Sequence, residues 1–222
     1  MTGKVYCRRL CNAGCTVYAL EYTHSPWPAP LNNVHAALSH LSGIHEDLIL
    51  SGTGNGASML LSLLQRVGTA GVGGVILLTP WCLHPAFGAP QEPALDPLGL
   101  VDAAGAYKAY GAAPEEASPL LGEIGVGWPR TLVLLCTLDP AFWEGERLVD
   151  KIRGAGGEVK VLVKEGFPAG FWGWPRFEGA ADMAGSVVEW VLGRKVEVGR
   201  AEGRERWGER KLCRVEGCGC WM

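Results

Sequence analysis

The residues best placed to do chemistry lie in one short turn, Gly52-Thr53-Gly54-Asn55-Gly56. An apolar run at 48–50 leads into it, and Met59, Leu60, Leu61, Leu63 and Leu64 follow with helical spacing. The pattern predicts strand, tight turn, helix, with glycines where the backbone needs positive φ or close approach. Two chemistries use this shape. A nucleophile elbow, G-x-S-x-G, lifts a serine above the end of a sheet. A G-x-G-x-x-A loop cradles a phosphate. The elbow's central position is Gly54, so the frame stands without its nucleophile. Ser51 and Ser58 flank it, one on the strand and one in the first turn of the helix. The phosphate reading matches literally at Gly52, Gly54 and Ala57, but it expects an acid about 20 positions on, and the next strand ends Leu78-Thr79-Pro80. No cofactor is expected.

A serine also needs a base. The five histidines are 24, 35, 40, 45 and 84, all early in the chain. His35 and His40 are five apart, off the i, i+4 pairing of a helix face. Asp139, ahead of Pro140, is a candidate acid and equally a common turn residue. Cys213, Cys218 and Cys220 lack the C-x-x-C pair or histidine of a zinc site, and no metal is expected.

The elements that must position these residues alternate. Helical spacing appears at 5–13, 31–41, 143–155 and 179–192, with a further helix near 101–110. Strands are expected at 15–22, 48–50, 72–79, 131–138 and 159–164. Those at 72–79 and 131–138 are continuously apolar, as in strands covered on both faces. The expected class is therefore α/β, a mostly parallel sheet flanked by helices. Residues 81–128 are largely irregular and rich in Pro and Gly. The chain divides into a domain over 1–192 and a charged, glycine-rich tail over 193–222.

Composition is consistent with this. Of 222 residues 48% are hydrophobic and 19% charged, which suits a packed domain. No apolar run approaches the ~20 residues of a membrane span. The start of the chain has no apolar segment of a secretory leader, and a cytoplasmic location with reduced cysteines is the expectation. The 194–216 stretch holds eight Lys/Arg against five Asp/Glu, which leaves the body acidic and a poor nucleic-acid surface. Composition says nothing of oligomeric state.

Six segments, in order, carry a resemblance: Glu21-Tyr22-Thr23-His24-Ser25-Pro26-Trp27-Pro28, Ser51-Gly52-Thr53-Gly54-Asn55-Gly56-Ala57, Leu78-Thr79-Pro80-Trp81, Ser118-Pro119-Leu120-Leu121, Cys136-Thr137-Leu138-Asp139-Pro140, and Glu165-Gly166-Phe167-Pro168-Ala169-Gly170-Phe171. Together they resemble the α/β-hydrolase fold-3 family, the hormone-sensitive-lipase-like carboxylesterases, over about residues 5–192. The resemblance implies a Ser-Asp-His triad. It puts the acid at Asp139, the nucleophile position at Gly54 and the histidine position at Ala169, so only the acid is retained. It also implies an H-G-G-G loop that supplies oxyanion-hole amides, and nothing before Val5 matches it. The chain thus resembles a degenerate member, truncated at its N-terminus and lacking the N-terminal strands. The strand bearing that loop would lie between those at 15–22 and 48–50. Without it, either those two pair directly or one sheet edge stays open.

Three readings remain open: a pseudoenzyme of esterase type that binds an apolar ester or acyl ligand, an active esterase with a displaced nucleophile, and a truncated product without function. Trp27, Trp81, Trp143, Phe171 and Trp172 fall shortly after expected strand ends, with Phe142 and Trp174 beside them. Ligands bind at that end of open α/β sheets. The alternative is that these aromatics simply pack over the core.

Overall fold

A computed structural model describes residues 2–23, 26–84, 87, 115–174 and 178–193. The helix expected near 101–110 and the cysteines at 213, 218 and 220 lie outside these residues. The chain packs as two units, one from residues 22–169 and one from 1–21 with 170–222.

The larger unit is built on a four-stranded parallel sheet in the order β1-β2-β3-β4. The strands are β1 (Leu48–Gly54), β2 (Val72–Pro80), β3 (Thr131–Cys136) and β4 (Val159–Lys164). Helix α2 (Ala29–Ser42) precedes the sheet. Helix α3 (Asn55–Val67) joins β1 to β2, and α4 (Phe142–Gly154) joins β3 to β4. Leu50 pairs with Val75, Leu77 with Val133, and Val133 with Val161. The two central strands are the continuously apolar ones. All six residues of β3 are buried, whereas β1 and β4, at the edges, alternate between covered and exposed positions. Ala57, Leu61 and Leu64 of α3 meet Leu77, Val133 and Leu135 of the sheet, and Leu148 and Ile152 of α4 join the same core.

Helix boundaries follow local chemistry. Pro30 sits in the first turn of α2, where its missing N–H costs nothing, and Leu31, Val34 and Ala37 form the buried stripe. Helix α3 stops at Gly68, whose N–H closes on the Leu64 carbonyl at 2.9 Å.

One strand expectation fails. Residues 15–22 have the β-favouring pattern CTVYALEY but form no strand. A strand is defined by its ladder, and β-propensity expresses fit to a pleated neighbour. Among the described strands none forms a ladder with this segment. The described sheet runs from β1 to β4 and does not include 15–22. Strand β1 pairs with β2 on one side, and no described strand runs along its other side.

The smaller unit contains α1 (Thr2–Asn12), a short 3-10 turn (Phe171–Gly173) and α5 (Glu178–Leu192). Its buried residues include Tyr6, Leu10, Phe171, Trp172, Met183, Val187 and Val188. No described helix is long and apolar enough to cross a membrane.

Candidate functional site

The candidate site lies at the carboxyl ends of the strands. Strand β1 runs through Gly54, and α3 begins at Asn55, so the turn is sharper than the glycine-rich segment suggests. Two glycines make it possible in different ways. A Cβ on Gly52 would stand 2.7 Å from the backbone of Gly56 and Ala57, so strand and helix approach as closely as only glycine permits. Gly54 has φ 50° and ψ −118°, a region that side-chain-bearing residues occupy only under strain. That is the kind of strained strand-to-helix turn a nucleophile elbow requires. Glycine does not relax the geometry, contrary to what its flexibility suggests; it occupies the same conformation without a side chain. Among the described residues a Cβ there would meet only Cδ2 of Trp81, at 4.0 Å.

The end of β2 is strained as well. Register shifts between Thr53 and Gly54, which faces Pro80, and Thr79 is left with φ 43°. A β-branched residue at positive φ is an outlier. The Trp81 N–H then reaches the Gly54 carbonyl at 3.5 Å.

Asp139, 2% exposed, follows β3. Its Oδ1 accepts the Ala141 N–H at 3.0 Å, which caps the turn into α4. Burial raises its carboxyl to about 6, while the Ala141 amide and the Trp81 side chain oppose that shift by favouring the carboxylate. Trp81 thus links the turn at Gly54 to the acid at Asp139. The loop after β4 is tied to the loop after β3: the Gly166 N–H donates to Thr137 Oγ1 at 2.8 Å, and the Leu138 N–H to the Phe167 carbonyl at 3.1 Å. Ala169, half-buried, lies at the end of that segment.

The aromatic residues divide. Trp81 and Trp143 are half-buried at this end of the sheet, and Arg147 stacks 5.1 Å from the Trp143 ring centre. Trp27 is half-buried just ahead of α2. Phe171 and Trp172 belong to the smaller unit, where both are buried and meet edge to face at 5.5 Å. Trp174 is exposed and Phe142 half-buried. Of the flanking serines, Ser51 is exposed on β1 and Ser58 buried in α3. No group of three or more His, Cys, Asp or Glu is placed to hold a metal among the described residues.

Sequence reasoning missed two residues. Thr79 precedes a proline, where extended backbone is the rule, so nothing marked it for positive φ. Glu144 is buried in the first turn of α4, and its Oε2 accepts the N–H groups of Cys82 (2.5 Å) and Leu83 (2.8 Å). Its only sequence signal is a carboxylate near a helix N-terminus, which usually means a solvated residue favoured by the dipole.

A family model described as alpha/beta hydrolase fold matches residues 1–173. The chain belongs to this family. Its fold is similar to that of an esterase from the bacterial hormone-sensitive lipase family, at 22% identity and TM-score 0.75, covering 86% of this chain and 69% of that one. A hyperthermophilic esterase from Pyrobaculum calidifontis is similar at 19% identity and TM-score 0.75, with 85% and 70% covered. Vibralactone cyclase follows at 18% and 0.67, with 78% and 60% covered. No curated protein matches the sequence. Identities this low speak for the fold alone.

Proposed function

We propose that this esterase-like member of the hydrolase family does not turn over esters and instead binds an apolar acyl or ester ligand. The observation that carries the reading is Gly54, which holds strained elbow geometry at the strand-to-helix junction with no side chain to attack a carbonyl. Asp139 takes the position of a catalytic acid. Ala169 takes that of the histidine, so neither the nucleophile nor its base is supplied at the family positions. We assign residues 1–192 to the hydrolase-like region and 193–222 to a charged extension. Trp81 and Trp143 are the leading candidates to line the ligand, since they stand half-buried at the strand ends. Trp27 is a weaker one. Phe171 and Trp172 serve as core.

The test is hydrolysis of p-nitrophenyl acetate and butyrate. The parent and Gly54→Ser are both expected to match an unrelated-protein blank, because a serine without a base stays protonated. Turnover by the parent that disappears in Ser51→Ala or Ser58→Ala would establish a displaced nucleophile and overturn the reading. Ligand binding is tested separately, by thermal shift with decanoate. A saturable rise in Tm that is lost in Trp81→Ala is expected; no rise up to millimolar concentration would remove the ligand and leave the inactivity standing.

A further inference from the structure

Three thiols share the first helix and its exit. Cys7 and Cys11 stand four residues apart on one face of α1, and Cys15 follows the helix. The end of the helix is what turns Cys15 back. The Gly14 N–H donates to the Cys11 carbonyl at 3.0 Å, and the Cys15 N–H to the Leu10 carbonyl at 3.0 Å. With Gly14 at φ 97°, these two bonds form the Schellman pattern, in which the residue after the left-handed glycine folds over the last helical turn. Cys15 is that residue. The Cys11 sulfur accepts the Val17 N–H, so the chain that leaves the helix passes beside it. All three thiols are free and half-buried, within reach of a small reagent, whereas Cys82 and Cys136 are sealed in the core.

We propose that Cys11 and Cys15 are a dithiol modification site, which a low-molecular-weight disulfide such as oxidised glutathione converts to a disulfide that staples the exit of α1. The choice of pair follows from geometry. A disulfide sets its Cβ atoms about 3.5–4.5 Å apart. An i, i+4 pair on a helix holds them about 5–6 Å apart, so Cys7 and Cys11 could join only by unwinding the turn between them. Cys15 lies outside the helix, on a turn that already folds it back and whose torsions can give. The chemistry is two exchanges. One cysteine thiolate attacks a sulfur of the reagent and expels a thiolate. The second cysteine attacks the protein sulfur of that mixed disulfide and expels the other half. Two protein thiols become one disulfide, the reagent becomes two thiols, and the two protons pass to the departing thiolates. Burial raises the Cys11 and Cys15 thiols, so the exchange quickens as pH rises. The bond pins a helix that packs on the 3-10 turn and on α5. It does not depend on whether the protein hydrolyses esters.

Titration of the full chain with oxidised and reduced glutathione at pH 8 tests it, followed by acid quenching, alkylation and peptide mapping. Trypsin cuts after Arg8 and Arg9, so Cys7 leaves on one peptide while Cys11 and Cys15 stay together on the peptide that starts at Leu10. That peptide is expected to be two hydrogens lighter, with Cys7 alkylated. The effective concentration of the pair, read from the glutathione ratio, should be at least tenfold higher in the native protein than in concentrated urea, where only the short spacing remains. Cys7→Ser should leave it within twofold. Gly14→Val, whose branched side chain opposes positive φ, should lower it at least threefold. Where that variant does not fold, the parent in native buffer against urea still decides. Equal values in the two solvents, a bond from Cys7 to either partner, glutathione adducts without the internal bond, or a folded Gly14→Val that keeps the parent's value would each overturn the site.

Discussion

Three glycines within five residues, Gly52, Gly54 and Gly56, should respond to alanine in three different ways. At Gly52 the new Cβ would lie 2.7 Å from three backbone atoms of Gly56 and Ala57. Backbone cannot rotate aside, so α3 must move off β1 and disturb the core that Ala57 and Leu61 form with Leu77. Overpacking costs ~1–3 kcal/mol where side chains can yield, and this contact belongs at or above the upper end. At Gly54 the Cβ finds room, but φ 50° with ψ −118° is strained for any L side chain, at a cost of about 1–3 kcal/mol. At Gly56 nothing lies within 4 Å and the backbone is helical, so alanine should gain about 0.5–1 kcal/mol. For a chain of this size each kcal/mol moves Tm by about 2–4 °C. Thermal melts followed by circular dichroism should therefore place Gly52→Ala roughly 6–12 °C below the parent, Gly54→Ala between, and Gly56→Ala slightly above. Gly52→Ala within 1 °C of the parent, or indistinguishable from Gly56→Ala, would refute the close approach of strand and helix.

Two further outcomes are expected. Thr131 is buried and its Oγ1 accepts the Trp128 indole N–H at 3.1 Å while donating to the Pro129 carbonyl at 2.9 Å; Thr131→Val strands both groups and should cost about 1–3 kcal/mol in urea unfolding with m unchanged. Leu134 is fully buried in central β3 and Val163 is 48% exposed on edge β4, so Leu134→Ala should cost about 2–5 kcal/mol and Val163→Thr within about 0.5 kcal/mol; comparable losses would mean that β4 is covered.

Much of the architecture was legible because it rests on local pattern. The unbroken apolar runs of β2 and β3 marked strands with both faces covered, and the helical spacing after Gly56 gave α3. Tight punctuation by glycine at 52 and 54 placed the turn. The order of six short segments carried the family, which residues 1–173 bear out. Residues 15–22 misled for the converse reason: β-propensity is local, but a strand is made by its ladder, and the described sheet does not include this segment.

Sequence by itself determined that glycine occupies 54 and alanine 169. The conformations and charges of the residues around them were decided only by tertiary structure. Thr79 takes positive φ against local preference because the register between β1 and β2 shifts where Gly54 meets Pro80. Glu144 is buried because amides 61 and 62 residues away converge on one of its oxygens. A carboxyl is stable out of water only where donors are already in place to receive it, and such donors come from distant segments that the fold alone brings together.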